Sequence, residues 1–398
     1  MRILILVQDL RTSGTSEGVV SRSFIFRMRQ VYPESFIRVI YFKHSDTFDE
    51  IDQLPINEIK VVKINAIYPS HILWLNKFYW RILHISLKER YLQNLYRAEI
   101  QSIEPSCYDQ VFVRSAGLDY EVVLGLSKTS LLNKSYLNFH DPYPVFWDPG
   151  SKSQLTMLEL LRLRSMHRII EKAAGVFTPS SILSEHLQYL YGSMKIFDTI
   201  PHQFEPLAFN MDKEIIYRRK EKRIQISYHG ALQFRRNIDA IIEAFQILLD
   251  ENINFRDSIE LVLRVRGVDS KKISKKVQTK NIIILDCLSF VESYKEQQTE
   301  SDICIIVETC NSYSNTLPGK ASVLNQLNKP ILISSPPKSE LRRIADELYV
   351  ADCDSISQLK EKMKSLIYKI ENNENFPPVF GDYFSKENFA KSIKKLAN

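Results

Sequence analysis

ISYHGALQFRRNIDAIIEAF (226–245) has the pattern of a buried strand, a tight turn and a helix in immediate succession. Gly230 directly follows the strand, where a residue without a Cβ lets the backbone turn sharply. Ile238, Ile242 and Phe245 then recur at three- and four-residue spacing, which predicts a helix with one face against a sheet. A strand followed at once by an amphipathic helix is the repeating unit of a parallel α/β sheet.

The same alternation continues in both directions along the chain. Short apolar runs lie in the first half at 3–7, 36–42, 59–64, 111–114, 136–139, 175–178 and 195–200, and in the second at 224–229, 260–267, 281–286, 302–307, 330–334 and 348–352. Continuous apolar runs of this length are typical of parallel strands buried on both faces. The sequence therefore predicts an α/β protein with two Rossmann-like, doubly wound domains.

Two domains are also what the length favours, because 398 residues exceed what one hydrophobic core normally organises. At 206–222 the strand pattern stops and charge becomes dense, as is typical of a linker. We predict an N-terminal domain over 1–206, a C-terminal domain over 223–382, and a final helix at 383–398 that packs back on the first domain. Ligands of such sheets bind beyond the carboxyl ends of the strands, so we expect the domains to face each other across a cleft.

Composition narrows the classes of function. The formal net charge of +6 is too dilute over this length to indicate a nucleic-acid partner. None of the 11 glycines forms GxGxxG or GxxxxGK[ST], so the usual signature of a nicotinamide or P-loop site is missing. The five cysteines form no CxxC pair and are interpreted as reduced thiols. No apolar run approaches the roughly 18 residues of a spanning helix, and the first is too short for a signal peptide. We expect a cytoplasmic protein.

A basic pair, Arg235 and Arg236, stands where the predicted strand-turn-helix unit enters its helix. Two guanidinium groups beside a helix N-terminus suit a diphosphate, because charge-assisted hydrogen bonds and free N–H groups then face one anion. Gly230 and this pair are therefore predicted to bind phosphate. The alternative is a solvated basic turn.

A second polar loop, ETCNSYSNTLPGK (308–320), follows the predicted strand at 302–307. Thr316, Leu317 and Pro318 predict that a helix opens at 316–318, with a proline in its first turn and its N–H groups free for an anion. The hydroxyls, amide, carboxylate and ammonium of this loop suit a phosphate or a sugar, and the predicted ligand-binding residues are Glu308, Ser314, Asn315, Thr316 and Lys320. An ordinary capped helix is the alternative.

His140 and Asp141 directly follow the predicted strand at 136–139, so their side chains should emerge at the carboxyl edge of the first sheet. We predict that they are catalytic: His140 would polarise a substrate hydroxyl, and Asp141 would hydrogen-bond a second substrate or serve as a base. Tyr143 and Trp147 offer apolar faces for a sugar ring. A purely structural loop, with Asp141 capping a turn, is the alternative.

The loop after the first strand, at 8–23, lies on the same predicted edge. Arg11, Ser13 and Gly14 are predicted to contact an acceptor, and a flexible solvated loop explains them equally well. Arg114 ends another strand on this edge and is a candidate of the same class.

The order and spacing of these motifs resemble the GT-B glycosyltransferase superfamily, specifically the retaining, nucleotide-sugar-dependent enzymes of bacterial surface-polysaccharide assembly. The similarity extends to EKAAGVFTPSSILSEHL (171–187) and to IPHQFEP (200–206), which looks like the family's interdomain turn. It implies that the donor pyrophosphate lies at the basic pair, with Arg236 aligned on a family lysine, and that His140 contacts the donor sugar. It also implies transfer with retention, in which a donor phosphate oxygen helps to deprotonate the acceptor.

The sequence departs from this family at two positions. Ala231 stands where an arginine usually follows the glycine, and aligning LPGKASVLNQLNKP (317–330) puts Val323 where the family has a glutamate that binds the ribose hydroxyls. The residues that can compensate are Glu308, Ser322 and Asn325. A noncatalytic partner subunit that binds nucleotide-sugar is one alternative to an active transferase, and a nucleotide-sugar epimerase of the same fold is another.

No cofactor and no metal ion are predicted, the nucleotide-sugar being a co-substrate. DCD (352–354) superficially resembles the DxD metal motif of the other glycosyltransferase architecture, but a turn after a strand explains it better. The histidines show no metal-ligand spacing.

The segment 71–97 mixes aromatic with basic side chains, among them Trp74, Phe78, Lys77 and Arg81. Such a mixture suits a helix that rests on anionic lipid, although apolar residues at core-facing spacing favour an ordinary packed helix. The sequence as a whole predicts a glycosyltransferase that moves a sugar from a nucleotide-sugar to a glycan or lipid-linked glycan, with the inner membrane surface as a further partner.

Overall fold

The structure is a computed structural model, and it describes residues 1–44, 46–47, 49–116, 119–144, 155–192, 195–212, 215–232 and 236–397. These residues divide into two units. The first contains the chain as far as Phe209 together with the C-terminal residues from Lys386, and the second runs from Asn210 to Ser385. The chain passes from the first unit to the second after Phe209, inside the stretch with linker composition, 206–222.

The first unit is built on a seven-stranded parallel sheet. Its strands are β1 (Arg2–Val7), β2 (Phe36–Lys43), β3 (Glu58–Lys63), β4 (Gln110–Arg114), β5 (Ser135–Asn138), β6 (Gly175–Thr178) and β7 (Phe197–Thr199). They lie in the order β3-β2-β1-β4-β5-β6-β7. Each neighbouring pair is parallel. This is the doubly wound order, in which the winding reverses between β1 and β4.

The first sheet is buried on both faces. Leu4 and Leu6 of β1 enter one hydrophobic cluster, while Ile3 and Ile5 enter another. Successive side chains of a strand point to opposite faces, so the continuous apolar run of β1 supplies both clusters. The helices of this part of the chain are α1 (Ser16–Val31), α2 (Ser70–Leu83), α3 (Leu87–Gln101), α4 (Glu121–Gly125), α5 (Met157–Lys172) and α6 (Ser181–Tyr191).

The second unit repeats this architecture with a six-stranded sheet and a separate two-stranded one. Its strands are β8 (Ile224–His229), β9 (Ile259–Val265), β10 (Ile282–Asp286), β11 (Ile303–Val307), β12 (Tyr313–Ser314), β13 (Ile331–Ser335), β14 (Lys338–Ser339) and β15 (Val350–Asp352). The main sheet has the order β10-β9-β8-β11-β13-β15, and β12 pairs with β14. The winding again reverses beside the first strand of the unit, here between β8 and β11. The prediction of two doubly wound α/β domains is confirmed.

The helices of the second unit are α7 (Ile238–Glu251), α8 (Phe255–Ser258), α9 (Gly267–Ile273), α10 (Phe290–Thr299), α11 (Lys320–Asn325), α12 (Glu340–Ile344) and α13 (Ile356–Glu371). Asn237 caps α7, since its side chain accepts a hydrogen bond from the backbone N–H of Ala240 at 3.2 Å. Ile241, Phe245 and Leu248 of α7 are fully buried in the core of this unit. The helix predicted from the spacing of Ile238, Ile242 and Phe245 is confirmed, because that spacing matched a face against a sheet.

The last helix, α14 (Lys386–Ala397), belongs to the first unit rather than the second. The ring of Phe389 meets that of Phe24 in α1 edge to face, with centroids 5.7 Å apart. Ile393 is fully buried in the same cluster. Lys395 also pairs with Asp198 at 2.7 Å. The chain end therefore contributes apolar surface to the core of the unit in which the chain begins.

The segment 71–97 forms two helices, and they differ in burial. His84, with φ at +53°, ends α2. Tyr96 and Ile100 of α3 are buried, as a packed helix requires, whereas α2 buries none of its residues. The packed-helix alternative is thus wrong for α2, because its apolar residues find no core to enter. No helix in the described residues is long and apolar enough to span a bilayer.

The interpretation of all five cysteines as reduced is wrong for one pair. Cys310 and Cys353 form a disulfide across a sequence separation of 43 residues. Spacing along the chain gave no sign of it, since the bond joins the ends of two strands that the fold brings close. Asp354 has a ligand atom within 4.8 Å of both sulfurs. A disulfide offers no thiolate, so this group lacks the ligands that a metal ion would take from cysteine.

Candidate functional site

The carboxyl ends of β8 and β11 lie at the point where the winding of the second sheet reverses, and residues predicted from separate motifs meet there. Arg236 and Thr309 form an isolated antiparallel bridge, which joins the segment after β8 to the segment after β11. Lys320 donates a hydrogen bond from Nζ to the backbone oxygen of His229, the last residue of β8. The fold thus brings the predicted glycine, arginine, glutamate and lysine to one edge, where doubly wound sheets bind their ligands.

The turn after β8 requires glycine for two reasons. Gly230 has φ at +146°, a conformation that side chains with a Cβ rarely adopt. A Cβ at this position would also overlap Nζ of Lys320. The backbone N–H of Gly230 donates to the carbonyl oxygen of Arg264 at 2.9 Å, which fixes the turn. Glycine therefore makes the room that the ammonium group occupies.

Two cations face this edge, and neither forms an ion pair with a carboxylate of the described residues. The Lys320 ammonium lies 4.6 Å from the centre of the Tyr228 ring. Burial, and then the charge of Arg236, lower the pKa of Lys320 to about 7. Arg236 donates from Nη1 to the backbone oxygen of Ala231 at 2.9 Å. Two adjacent basic groups without an ion-paired carboxylate form a site that an anion would stabilise.

Glu308 follows β11 directly and is only 2% exposed. Its Oε2 accepts a hydrogen bond from the Ser335 hydroxyl at 2.7 Å, whereas Oε1 has no hydrogen-bond partner. Burial raises the pKa of Glu308 to about 7, and the Ser335 hydrogen bond opposes that shift. A buried carboxyl with an unused oxygen suits a ligand hydroxyl.

The loop before α11 differs from the predicted helix start. The helix begins at Lys320, not at 316–318, and it contains only six residues. Tyr313 and Ser314 are instead extended and pair with Lys338 and Ser339 of β14. Of the loop's other predicted residues, Ser314 and Asn315 are buried and Thr316 is partly exposed. Pairing with β14 holds this loop extended. The N-terminus of α7 is therefore the helix start that lies beside the residues predicted to bind phosphate.

Sequence reasoning missed a buried ionic network that adjoins this edge. Glu296 of α10 receives two hydrogen bonds from Arg264 of β9, at 2.9 and 2.6 Å. His229 shares a hydrogen bond of 2.8 Å between Nδ1 and the Ser293 hydroxyl. Burial, and then Lys320 and Arg264, lower the pKa of His229 well below its usual range, so its ring is neutral. The signal in the sequence was Arg264 inside a mostly apolar strand.

On the first sheet, His140 and Asp141 lie just beyond the end of β5. Burial, and then the charge of Arg114, lower the pKa of His140 to about 3, so its ring is neutral. Burial raises the pKa of Asp141 to about 7, and Glu17 adds to the shift. The Tyr120 hydroxyl donates to the Asp141 carbonyl oxygen and accepts from its N–H at 3.3 Å, which fixes the backbone. A carboxyl that titrates near neutral pH can accept or release a proton there.

Tyr143, one of the two aromatic residues predicted to stack on a sugar, is not placed for it. Tyr143 is 6% exposed, and its ring packs at 4.7 Å against Tyr120 in the hydrophobic core. That prediction is wrong because the ring fills core volume next to the strand end. Trp147, and Arg235 of the basic pair, lie outside the described residues.

The loop after β1 is organised by a carboxylate. Asp9 is 3% exposed and forms an ion pair of 2.6 Å with Arg11, a predicted acceptor contact. Asp9 also accepts from the Thr15 hydroxyl at 2.8 Å. Ser13 is partly exposed. Gly14 has φ at +91° and open space around its Cα. Arg11 is therefore held in place by Asp9 rather than loose in solvent.

A second group at this edge was missed from the sequence. The Gln8 amide donates to Glu121 Oε2 at 2.9 Å and to the Tyr96 hydroxyl at 3.2 Å. His44 also hydrogen-bonds that hydroxyl. Burial raises the pKa of Glu121. Gln8, directly after the apolar run of β1, was the signal that a polar group forms here.

Comparison with known proteins identifies the fold of the chain. No family model and no curated protein sequence matches the chain. Among solved structures, it is similar to a protein described as a UDP-N-acetylglucosamine 2-epimerase from Listeria monocytogenes, with 12% identity, a TM-score of 0.56 and coverage of 99% of this chain and 96% of that one.

Two further structures have the same extent of similarity. Anabaena HepE in complex with UDP has 11% identity, a TM-score of 0.59 and coverage of 99% of each chain. The lipopolysaccharide outer core galactosyltransferase WaaB, without ligand, has 13% identity, a TM-score of 0.55 and coverage of 99% of this chain and 100% of that one. With two parallel doubly wound sheets and these structural neighbours, the chain has the GT-B fold.

Proposed function

We propose that the chain is a glycosyltransferase that moves a sugar from a nucleotide-sugar donor to a glycan or lipid-linked glycan acceptor. The observation that carries this proposal is the meeting of Gly230, Arg236, Glu308 and Lys320 at the reversal point of the second sheet. Two cations without an ion-paired carboxylate fit a diphosphate, and doubly wound sheets bind nucleotides at this place. Similarity in fold to a galactosyltransferase and to a UDP-bound protein supports the same class of ligand.

The second unit holds the donor in this proposal. Arg236 and Lys320 bind the diphosphate and stabilise the negative charge that develops on it as the sugar leaves, which is electrostatic work. Glu308 accepts a hydrogen bond from a donor hydroxyl through its unused oxygen, and Ser314, Asn315 and Thr316 line the same loop. These protein cations neutralise the leaving group without a metal ion or a cofactor.

The first unit supplies the acceptor side. Neutral His140 hydrogen-bonds a sugar hydroxyl, and Asp141 accepts a hydrogen bond from the attacking acceptor hydroxyl. The bond between the sugar and the donor phosphate breaks as the bond to the acceptor oxygen forms. With retention, the acceptor proton passes to a donor phosphate oxygen. Arg11, Ser13 and Gly14 contact the acceptor in this proposal, whose biological setting is surface-polysaccharide assembly.

Helix α2 is proposed to hold the enzyme on the inner membrane surface, where a lipid-linked acceptor lies. Trp74 and Phe78 are 73% and 58% exposed. The helix sequence also carries Lys77 and Arg81 but no acidic residue. Exposed aromatic rings beside basic side chains suit an anionic bilayer. Phe78→Ala is expected to reduce sedimentation with phosphatidylglycerol vesicles, whereas Tyr189→Ala, at an exposed ring on α6, is the matched control; equal sedimentation of both would refute this role.

A binding and turnover screen tests the central proposal. Uridine, guanosine and cytidine nucleotide-sugars are compared by thermal shift, and transfer to an acceptor is followed with a labelled sugar. Arg236→Met should weaken binding of the active donor by roughly 10- to 150-fold, the worth of a hydrogen bond to a charged group. The exposed Arg256→Met in the same unit is the control. If no nucleotide-sugar binds, or if both variants bind it equally, the donor site is wrong.

An epimerase of the same fold is a second candidate. Its structural support is the similarity to the Listeria protein and the carboxyl groups of Asp119 and Glu121, whose pKa values burial raises. An epimerase converts one labelled nucleotide-sugar into its epimer without any acceptor, whereas a transferase requires the acceptor. Binding without turnover of either kind would instead indicate a noncatalytic partner subunit. The observation that favours this alternative is Val323, which is buried where the family has a carboxylate.

A further inference from the structure

A cluster of nitrogen-bearing side chains lies buried beneath the carboxyl edge of the first sheet. Arg114 is the last residue of β4, His140 follows the neighbouring strand β5, and His202 follows β7. Arg114, His140 and His202 are 5%, 5% and 4% exposed. The two imidazole rings lie with their centres 4.5 Å apart. Three basic side chains therefore share one buried place at the edge where such sheets bind ligands.

Within the described part of the chain, this cluster has no ion-paired acid. Asp9 is engaged by Arg11 at 2.6 Å, and Glu205 by Arg27 at 3.0 Å. Nε of Arg114 and Nδ1 of His140 have no hydrogen-bond partner. A buried charge without a partner is costly, and proteins keep such a charge mainly where function uses it.

The positive charge of the cluster resides on Arg114. Burial lowers the pKa of Arg114 to about 9, which leaves the guanidinium protonated at neutral pH. Burial and Arg114 keep both imidazoles neutral, so each can donate one N–H. The guanidinium lies 4.6 Å from the centre of the Phe24 ring, a contact that offsets only part of the lost hydration.

We infer that Arg114, His140 and His202 form a binding site for an oxyanion, a carboxylate or a phosphate, that one of the two substrates carries. The planar guanidinium presents paired N–H donors that match the oxygens of either group. Asp141 follows His140 in the chain, so the anionic group binds next to the residue proposed to receive the acceptor hydroxyl. This inference rests on the proposed sugar transfer for the identity of the substrates but not for the existence of the site.

Inorganic phosphate is the first probe. The full chain carrying Arg236→Met, which weakens the diphosphate site of the second unit, is unfolded by heat in phosphate and in chloride at equal ionic strength. Phosphate is expected to raise the midpoint by several degrees, because a ligand that binds only the folded state stabilises it. Adding Arg114→Met should abolish this gain and should raise the midpoint in chloride, since a buried unpaired charge is replaced by an apolar side chain that fills most of its volume.

Two outcomes would overturn the site: a phosphate gain that survives Arg114→Met, or no gain in the parent. Arg38→Met, at a partly exposed ion pair with Glu58 on the same sheet, is the control and should leave the gain intact. If Arg114→Met does not fold, His140→Asn replaces it, and loss of the phosphate gain is again required.

Substrate binding distinguishes the source of the anion. If the donor sugar carries it, Arg114→Met should weaken binding of UDP-glucuronate by roughly 10- to 150-fold and leave UDP-glucose unchanged. If the acceptor carries it, both nucleotide-sugars should bind normally and glucose 6-phosphate should raise the midpoint only when Arg114 is present. If Arg114→Met changes neither nucleotide-sugar binding nor the effect of glucose 6-phosphate, a role of the site in substrate binding is refuted. Failure of every nucleotide-sugar to bind would instead refute the proposed transferase, while the phosphate measurement would still stand.

Discussion

Gly230→Ala tests whether the turn after β8 exists to make room for the Lys320 ammonium. The substitution has two separable costs. The backbone at φ +146° disfavours any residue with a Cβ, which should destabilise the fold by roughly 1–3 kcal/mol. The new methyl group would overlap Nζ of Lys320, and because that atom ends a flexible side chain, the lysine moves away at little further cost in stability.

The functional cost follows from that displacement. Lys320 loses its position at the anion, and a hydrogen bond to a charged group contributes about 1.5–3 kcal/mol. Nucleotide affinity should fall by roughly 10- to 150-fold. Gly381→Ala is the matched control, since Gly381 also has positive φ, at +51°, but open space around it. It should lose about 1–2 kcal/mol of stability and bind nucleotide normally.

The assay combines urea unfolding with calorimetric titration of the nucleoside diphosphate that the donor screen identifies. Stability and affinity should separate: both glycine variants are less stable, and only Gly230→Ala binds weakly. Wild-type affinity in Gly230→Ala would refute the reasoning, as would an equal loss of affinity in Gly381→Ala, which would assign the effect to general destabilisation.

Three further predictions follow from the buried titratable groups. Lys320 has a pKa of about 7, and a bound anion must raise it; nucleotide binding should therefore take up a proton and weaken as pH rises from 7 to 9, and Lys320→Met should remove this dependence in titrations at several pH values. Asp141 has a pKa of about 7 and accepts a hydrogen bond only when ionised, so transfer should rise with pH through that value. Asp141→Asn should lower the rate constant by roughly 10- to 150-fold, the worth of a hydrogen bond to a charged group, while donor affinity stays within error; an unchanged pH profile would remove its role. Glu296→Gln leaves Arg264 buried without its carboxylate and should cost about 3–5 kcal/mol in urea unfolding, against less than about 1 kcal/mol for Asp250→Asn at an exposed pair; similar costs would show that burial does not matter here.

Local pattern determined much of the fold from sequence alone. Each of the 13 apolar runs of the two halves became a strand of one of the two main sheets, seven in one and six in the other. The helix after Gly230 could also be predicted from the sequence, because helix and strand periodicities are properties of neighbouring residues. Strand ends also indicated where polar side chains leave the sheets, as for His140 and Glu308, since parallel strands present their carboxyl ends at one edge.

Contacts between distant segments decided the rest. The bridge between Arg236 and Thr309 and the bond from Lys320 to β8 create the candidate donor site, and neither has a signature in local sequence. Long-range pairing also moved the helix start from 316–318 to Lys320. Tyr143 became core rather than a sugar platform for the same reason, since packing around a strand end selects which aromatic rings are covered.

Burial is the quantity that the sequence by itself could not supply. Composition gave α2 its aromatic and basic residues, but only the tertiary structure left them without a core to enter. Likewise, the sequence does not distinguish Arg114 from the other arginines; the fold buries it and leaves it without an ion-paired acid among the described residues. The sequence determined which elements form and where polar groups leave the sheets, because those depend on local periodicity. The tertiary structure decided which charges are paired and which stay available to a ligand, because that depends on which segments meet.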